Sequence, residues 1–200
     1  MSAHATSPWG MEHAGLRGPA HAQPGVKITW LRGVHSVTIA PFKGQQAACA
    51  AWLSQHLGLA WPDAGRISIK GDVAAAWNSP GDIMLIDATA SLSVEKLTAA
   101  LAGKAAIVDQ SSGRIAVRIA GEQAQNALMK LVEIDLHPSV LKAGMGGITA
   151  LHHMSVGVFK IADAPIFWLH AARTYAADVW HCLAEAGEEY GVEMNLSGKG

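Results

Sequence analysis

The chain has 200 residues, half of them hydrophobic, with a charged fraction of 16% and a formal net charge of −1. That is enough apolar material for one large domain or for two small lobes sharing a core. The small, scattered charge excludes the clustered basic surface that nucleic acid or an anionic membrane requires of a partner, and no apolar run is long enough to cross a bilayer.

A low charged fraction together with a positive mean hydropathy leaves less of the surface strongly solvated, so part of it is expected to be covered by another protein. Cys49 and Cys182 stand in Ala-rich, helix-like surroundings without CxxC spacing and read as reduced thiols. The N-terminus has neither the basic segment nor the apolar core of a signal peptide, so the expected location is the cytoplasm.

Residues Met1 to Gly25 contain Pro8, Pro19 and Pro24 with His4, His13 and His21, and show no apolar period. They read as an arm, disordered or wrapped on a partner. The irregular histidine spacing fits a solvated segment better than a metal site. Trp9 is the exception, since an aromatic residue in a polar arm commonly anchors it to a neighbouring surface.

From Val26 the texture changes. Strands are expected at Ile28 to Trp30 and Val34 to Ala40, a hairpin-like pair around Arg32-Gly33. A helical stripe over Gln46 to Leu57 stops at Gly58 and packs through Trp52 and Leu53. Strands follow at Arg66 to Lys70, Val73 to Trp77 and Ile83 to Ile86, then a helix from Val94 capped by Ser93 and ended by Gly103.

The second half repeats this order. Ala105 to Val108 and Arg114 to Ile119 are strands about the turn Ser111-Ser112-Gly113, and Glu122 to Leu131 is a helix. Gly144 to Leu151, Val156 to Ile161 and Ile166 to Ala171 are strands, and a last helix is capped by Thr174. Ile39 corresponds to Ile119, the turn and strand from Ser79 to that from Asp163, and Ser93 to Thr174, all at a near-constant interval. The pattern is an internal duplication of two tandem α+β lobes, strand-strand-helix-three strands-helix, over residues 26–103 and 104–191, with a flexible tail at 192–200.

None of the polar motifs forms a self-sufficient catalytic site. His152-His153, read as strand neighbours, point to opposite faces and cannot share an ion, and neither His170 nor His181 has a ligand at recognised spacing. No metal ligand is assigned. Gly144-Met145-Gly146-Gly147 lacks the ending of a phosphate loop and fits a tight turn or close backbone approach. Ser111 and Ser112 turn between strands and lack the setting of a nucleophile elbow. Glu188 and Glu189 read as a solvated helix end. Asp135-Leu136-His137-Pro138 is the polar cluster in the most informative place: a pre-proline His and an Asp able to bond the backbone beyond it make a rigid corner, with Asp135 and His137 as candidate partner contacts.

With these residues laid out, Val108-Asp109-Gln110-Ser111 through Arg118, Gly121 to Lys130 and the Asp135 to Pro138 corner resemble the gamma subunits of heterotetrameric sarcosine oxidases. The Asp163-Ala164-Pro165 turn, the strand to Ala171, Arg173 and Tyr175 to Trp180 are similar to the same family. The resemblance implies the fold of the folate-binding aminomethyltransferases and of the N-terminal domains of tRNA-modification GTPases. It also implies alpha, beta and delta partner subunits holding FAD, FMN, NAD, tetrahydrofolate and zinc, in a complex that oxidatively demethylates sarcosine or a related secondary amine and passes the methyl carbon to tetrahydrofolate. In that family the gamma chain carries no cofactor. Two places differ from the family pattern: Ser79 to Met84, where Gly-Pro-Asp-Glu-Trp is usual, and Gly146, often Cys. The rival reading is a free-standing folate-dependent one-carbon protein or iron-sulfur assembly protein of the same fold.

Overall fold

The computed structural model describes residues 15–18 and 23–197. In chain order these form β1 (Gly15–Arg17), β2 (Val26–Leu31), β3 (His35–Pro41), α1 (Gln46–Leu57), β4 (Ile67–Lys70), β5 (Val73–Ser79), β6 (Asp82–Asp87), α2 (Val94–Ala100), β7 (Ala105–Asp109) and β8 (Arg114–Ala120). There follow α3 (Ala124–Met129), β9 (Met145–Leu151), β10 (Met154–Lys160), β11 (Ile166–Ala172), α4 (Ala176–Gly187) and β12 (Val192–Ser197).

Local chemistry explains the helix ends. Gly58 closes α1 in the left-handed conformation, φ 65°, with its N–H donating to the carbonyls of Leu53 and Ser54. Glycine adopts that conformation without the steric cost of a Cβ. Cys49 and Leu53 are the residues α1 buries, while Trp52 packs at the margin and stacks on His56 at 4.8 Å. The Ser93 side chain accepts from the Lys96 N–H and caps α2. Thr174 does not cap α4. A 3-10 turn, Arg173–Tyr175, leads into that helix instead, and its N-cap Tyr175 makes no side-chain capping bond.

The strands assemble into a seven-stranded sheet, ordered β1-β12-β2-β8-β11-β10-β9, and a five-stranded sheet, ordered β4-β5-β6-β3-β7. Helices α3 and α4 cover one face of the larger sheet, where Leu128, Val179, Trp180 and Leu183 meet Ile28, Val117, Ile119 and Leu169. Helices α1 and α2 cover the smaller sheet, where Leu53 and Leu97 meet Val37, Ile39, Ile83 and Leu85. The uncovered faces pack on each other through Ala74, Ala76, Met84 and Ile86 against Phe159 and Trp168. The result is a helix-sheet-sheet-helix stack.

The expected hairpin of β2 and β3 is not formed. β2 pairs with β8 in the larger sheet, whereas β3 pairs with β6 and β7 in the smaller one. The β7 to β8 connection crosses between sheets in the same way. Each half of the chain therefore gives its first strand to the other half's sheet. The register is matched: Ile39 lies between Ile83 and Ile107, as Ile119 lies between Phe167 and Ile28. Neither sheet is built from one of the contiguous lobes 26–103 and 104–191.

The termini differ from expectation as well. Most of the N-terminal arm, including Trp9, lies outside the described residues, but Gly15–Arg17 pairs antiparallel with β12. Residues 192–200 are not simply a tail, because Val192–Ser197 forms β12, parallel to β2. Val192 and Met194 are fully buried, and on the other side of the strand Glu193 reaches Lys27 at 3.1 Å. An apolar-polar alternation with a sheet edge to bind is sufficient to order the segment.

Between the sheets lies a polar seam. Gln110, at the crossing, donates from Nε2 to Thr38 Oγ1 at 2.8 Å and accepts from Arg114 Nε at 2.7 Å, while its N–H donates to the Ser36 carbonyl at 2.7 Å. Near it His170 is only 5% exposed, and neither ring nitrogen has a hydrogen-bond partner. The ring sits on Gly157, where any Cβ would collide with it, and lies parallel to Phe159 with centroids 6.1 Å apart. Burial, with a smaller effect of the Arg114 charge, pushes the His170 pKa down to about 4. The ring is thus a neutral packing element at ordinary pH.

Three outcomes follow from this packing. Trp180, 4% exposed on α4, should cost about 3–5 kcal/mol on replacement by Ala, measured by chemical denaturation. Ending the chain after Gly191 removes two buried side chains at about 1.5–3 kcal/mol each and exposes β2; a lowered Tm and loss of soluble protein are expected. In the unfolded chain His170 protonates near pH 6.5, but in the folded protein only near 4. The unfolded state therefore binds the extra proton in that window, so this contribution to stability is full above pH 6.5 and is lost as pH falls toward 4. His170→Phe should remove roughly 2–3 kcal/mol of the stability difference between neutral and acid pH, read from denaturation curves at both.

Candidate functional site

The corner after α3 is built as its sequence suggests. Asp135 Oδ1 accepts the His137 N–H at 2.8 Å, and the His137 carbonyl accepts from the N–H groups of Val140 and Leu141, both at 2.8 Å. The His137 ring is fixed too, with Nδ1 accepting the Ser139 N–H at 3.3 Å and lying 2.7 Å from Ser139 Oγ. Accepting a backbone N–H leaves the neutral ring with its proton on Nε2, so the Ser139 hydroxyl donates.

Leu136 and Leu141 are buried in the core and pin the corner, leaving Asp135 and His137 exposed. Asp135 engages the backbone of His137 and not its ring, so the two do not form an acid-base pair. They do present a carboxylate edge and an imidazole N–H from a rigid base.

The other polar candidates are engaged in holding the fold. Ser111 Oγ donates to Asp109 at 2.5 Å and accepts the Ser36 N–H at 3.1 Å, tying the β7–β8 turn to β3. The Ser111 hydroxyl and N–H bonds hold the Asp109 carboxyl below its ordinary pKa. Asp87 had no assigned role in the sequence, yet it is fully buried. Its two oxygens accept from the Thr89 N–H and hydroxyl, the Ser91 hydroxyl and the Leu92 N–H, at 2.9, 2.8, 3.1 and 2.6 Å. Burial alone would raise the Asp87 pKa, but these bonds together carry it below the ordinary carboxylate value. It locks the loop from β6 to α2.

His152 and His153 are not strand residues. They form the two-residue loop between Leu151 and Met154, with His152 at φ 52° and the two rings 6.4 Å apart. His181 pairs with Glu185 at 3.3 Å on the exposed side of α4. Among the described residues no group of three or more His, Cys, Asp or Glu side chains could hold a metal. Glu189 is more than a solvated helix end, since Lys130 Nζ donates to it and to the Ala186 carbonyl at 2.8 Å, and lies 4.5 Å from the Tyr190 ring centre. That clamp joins α3 to the end of α4.

The glycine run is a close-approach site. Gly146 pairs with Phe159, and a Cβ there would strike the Val158 carbonyl and the Phe159 Cα. The Gly146 N–H also donates to the Gly65 carbonyl at 3.0 Å, while the Ile67 N–H donates to the Gly144 carbonyl at 3.0 Å. These bonds stitch the edge of one sheet to the edge of the other. A cysteine at 146 has no room in this backbone.

Lys160, like Asp87, is a buried polar residue with no role assigned from the sequence. It stands on the same face of β10 as Met154, Val156 and Val158, and is buried with them at 5% exposure. Period-2 alternation along the strand would have placed it inward.

The stack and its edges have known counterparts. A solved heterotetrameric sarcosine oxidase from Corynebacterium sp. U-96, in complex with pyrrole 2-carboxylate, contains a chain that is 20% identical with a TM-score of 0.74, over 84% of this chain and 87% of that one. The glycine cleavage system aminomethyltransferase T from Bartonella henselae is 11% identical with a TM-score of 0.62, over 86% of this chain and 48% of that one. Both likenesses establish the mixed α and β fold. No curated protein sequence matches the chain. The model of the sarcosine oxidase gamma subunit family matches residues 43–189, which span α1 to the end of α4 and hence most of both sheets, and the chain belongs to that family.

Proposed function

We propose that the chain is a non-catalytic structural subunit of a heterotetrameric, sarcosine-oxidase-type flavoenzyme. That enzyme would oxidatively demethylate sarcosine or a related secondary amine and transfer the methyl carbon to tetrahydrofolate. The observation that carries the reading is the family match over residues 43–189. It is supported by the use of the polar clusters at Asp87, Asp109 and Gln110 as internal braces.

In this reading FAD, FMN, NAD, tetrahydrofolate and zinc belong to the alpha, beta and delta subunits, and the complex works in the cytoplasm. No helix among the described residues is long and apolar enough to cross a membrane. The contact surface includes the Asp135 and His137 corner, with Trp9 of the N-terminal arm as a second anchor. Exposed Val140, beside the corner, adds apolar area. Stable association at the usual scale buries roughly 1,600 Å² in total, so the corner is one part of a larger interface. A free-standing folate-dependent or iron-sulfur assembly role is not favoured, because the family match over residues 43–189 is to the sarcosine oxidase gamma subunit.

The test is isolation of the tagged chain from the cells that make it. Recovery with stoichiometric flavin-containing large subunits is expected, and Asp135→Ala with His137→Ala should weaken that recovery while leaving the Tm nearly unchanged. Recovery of the chain alone, without flavin absorbance, overturns the reading.

A further inference from the structure

A cleft of about 230 Å³ opens beside the corner, lined by Glu122, Gln125, Asn126, Pro138, Lys160, Asp163 and Pro165. Its volume lies below the roughly 300–1,000 Å³ of sites that enclose drug-sized ligands, so its occupant is small. The two prolines are stiff walls, and Lys160, buried among apolar neighbours, is the deepest charged group. Among the described residues Lys160 Nζ makes one hydrogen bond, to the Leu141 carbonyl at the long distance of 3.4 Å. Among the described residues it makes no ion pair.

An ammonium carries three donors, and burying one with most of its hydrogen-bonding capacity unused is costly unless an acceptor is supplied. The corner holds the Leu141 carbonyl in place, so the lysine cannot follow it outward without losing that bond. The strand position favours retention as well, since Lys160 shares its face with Val156 and Val158.

The mouth of the cleft has the opposite sign. Glu122 and Asp163 are exposed there, and neither is engaged by an ion pair among the described residues. A simple anion approaching Lys160 has to pass two carboxylates, and a simple cation is repelled by Lys160 once inside. A small molecule with both charges, carboxylate leading, satisfies all three groups. The amides of Gln125 and Asn126 can add neutral hydrogen bonds.

We propose that this cleft is a binding site for a small α-amino-acid zwitterion, its carboxylate on Lys160 and its ammonium between Glu122 and Asp163. The site is a ligand site of this chain itself and involves no chemical step. It is independent of which partners the chain has.

The experiment titrates the isotopically labelled full chain with glycine, acetate and methylammonium, each alone, and follows amide NMR shifts. Glycine should shift residues around 122–126 and 160–165, with acetate and methylammonium at least about tenfold weaker. Lys160→Met, which keeps the volume of the side chain and whose folding is checked by circular dichroism, should abolish the glycine response. Glu122→Gln combined with Asp163→Asn should weaken glycine and strengthen acetate. No glycine shift in the wild-type chain, acetate binding as tightly as glycine, or an undiminished response in Lys160→Met would each overturn the proposal.

Discussion

The exchange of first strands between the two sheets is the constraint on which the rest of the structure depends. Because β2 lies beside β8 and β7 beside β3, each sheet takes one strand from across the boundary between the two halves of the chain. The crossings also force polar groups into the middle of the stack. Gln110 answers for them by bonding β3 with its backbone and side chain and receiving Arg114 from β8. A partly buried seam of this kind is favourable only when its donors and acceptors are matched, which makes the residues there interdependent.

Much of this architecture was legible in the sequence and part was not, for one physical reason. Alternation reports which face of a strand is buried, but not which sheet it joins. Ile28 to Trp30 and Val34 to Ala40 were readable as strands, while the short Arg32-Gly33 link made them look like partners. Gly58 and Ser93 were readable because caps are local chemistry. Thr174 misled because a 3-10 turn intervenes before α4. The alternation of Val192, Met194 and Leu196 was available, yet a short segment at a chain end reads as tail until its sheet edge is known. The Asp135 to His137 corner was legible through its Asx bond and proline, whereas the Lys160 cleft draws on three distant segments that only the fold brings together.

Family membership and geometry are consistent with the proposed structural role. Aminomethyltransferase T shares this stack over about half of its own length, and a shared stack does not by itself fix a function. Here Asp87, Asp109 and Gln110 are bonded to backbone or to neighbouring side chains. Asp87 shows this well, because four donors converge on a carboxylate that no solvent reaches. What remains outward is a rigid corner and scattered apolar side chains.

The pairing order also sets a timetable for synthesis. The five-stranded sheet is drawn from β3 to β7, a continuous stretch of chain, so its strands have all been synthesised when about half of the protein has been made. β2 is made before any of them but has to wait for β8, and then for β12 at the far end, to be covered on both edges. An apolar strand is therefore left without neighbours through most of translation, a long-range closure of the kind that slows folding and invites chaperones. The larger sheet can close over β2 only once β12 has been made.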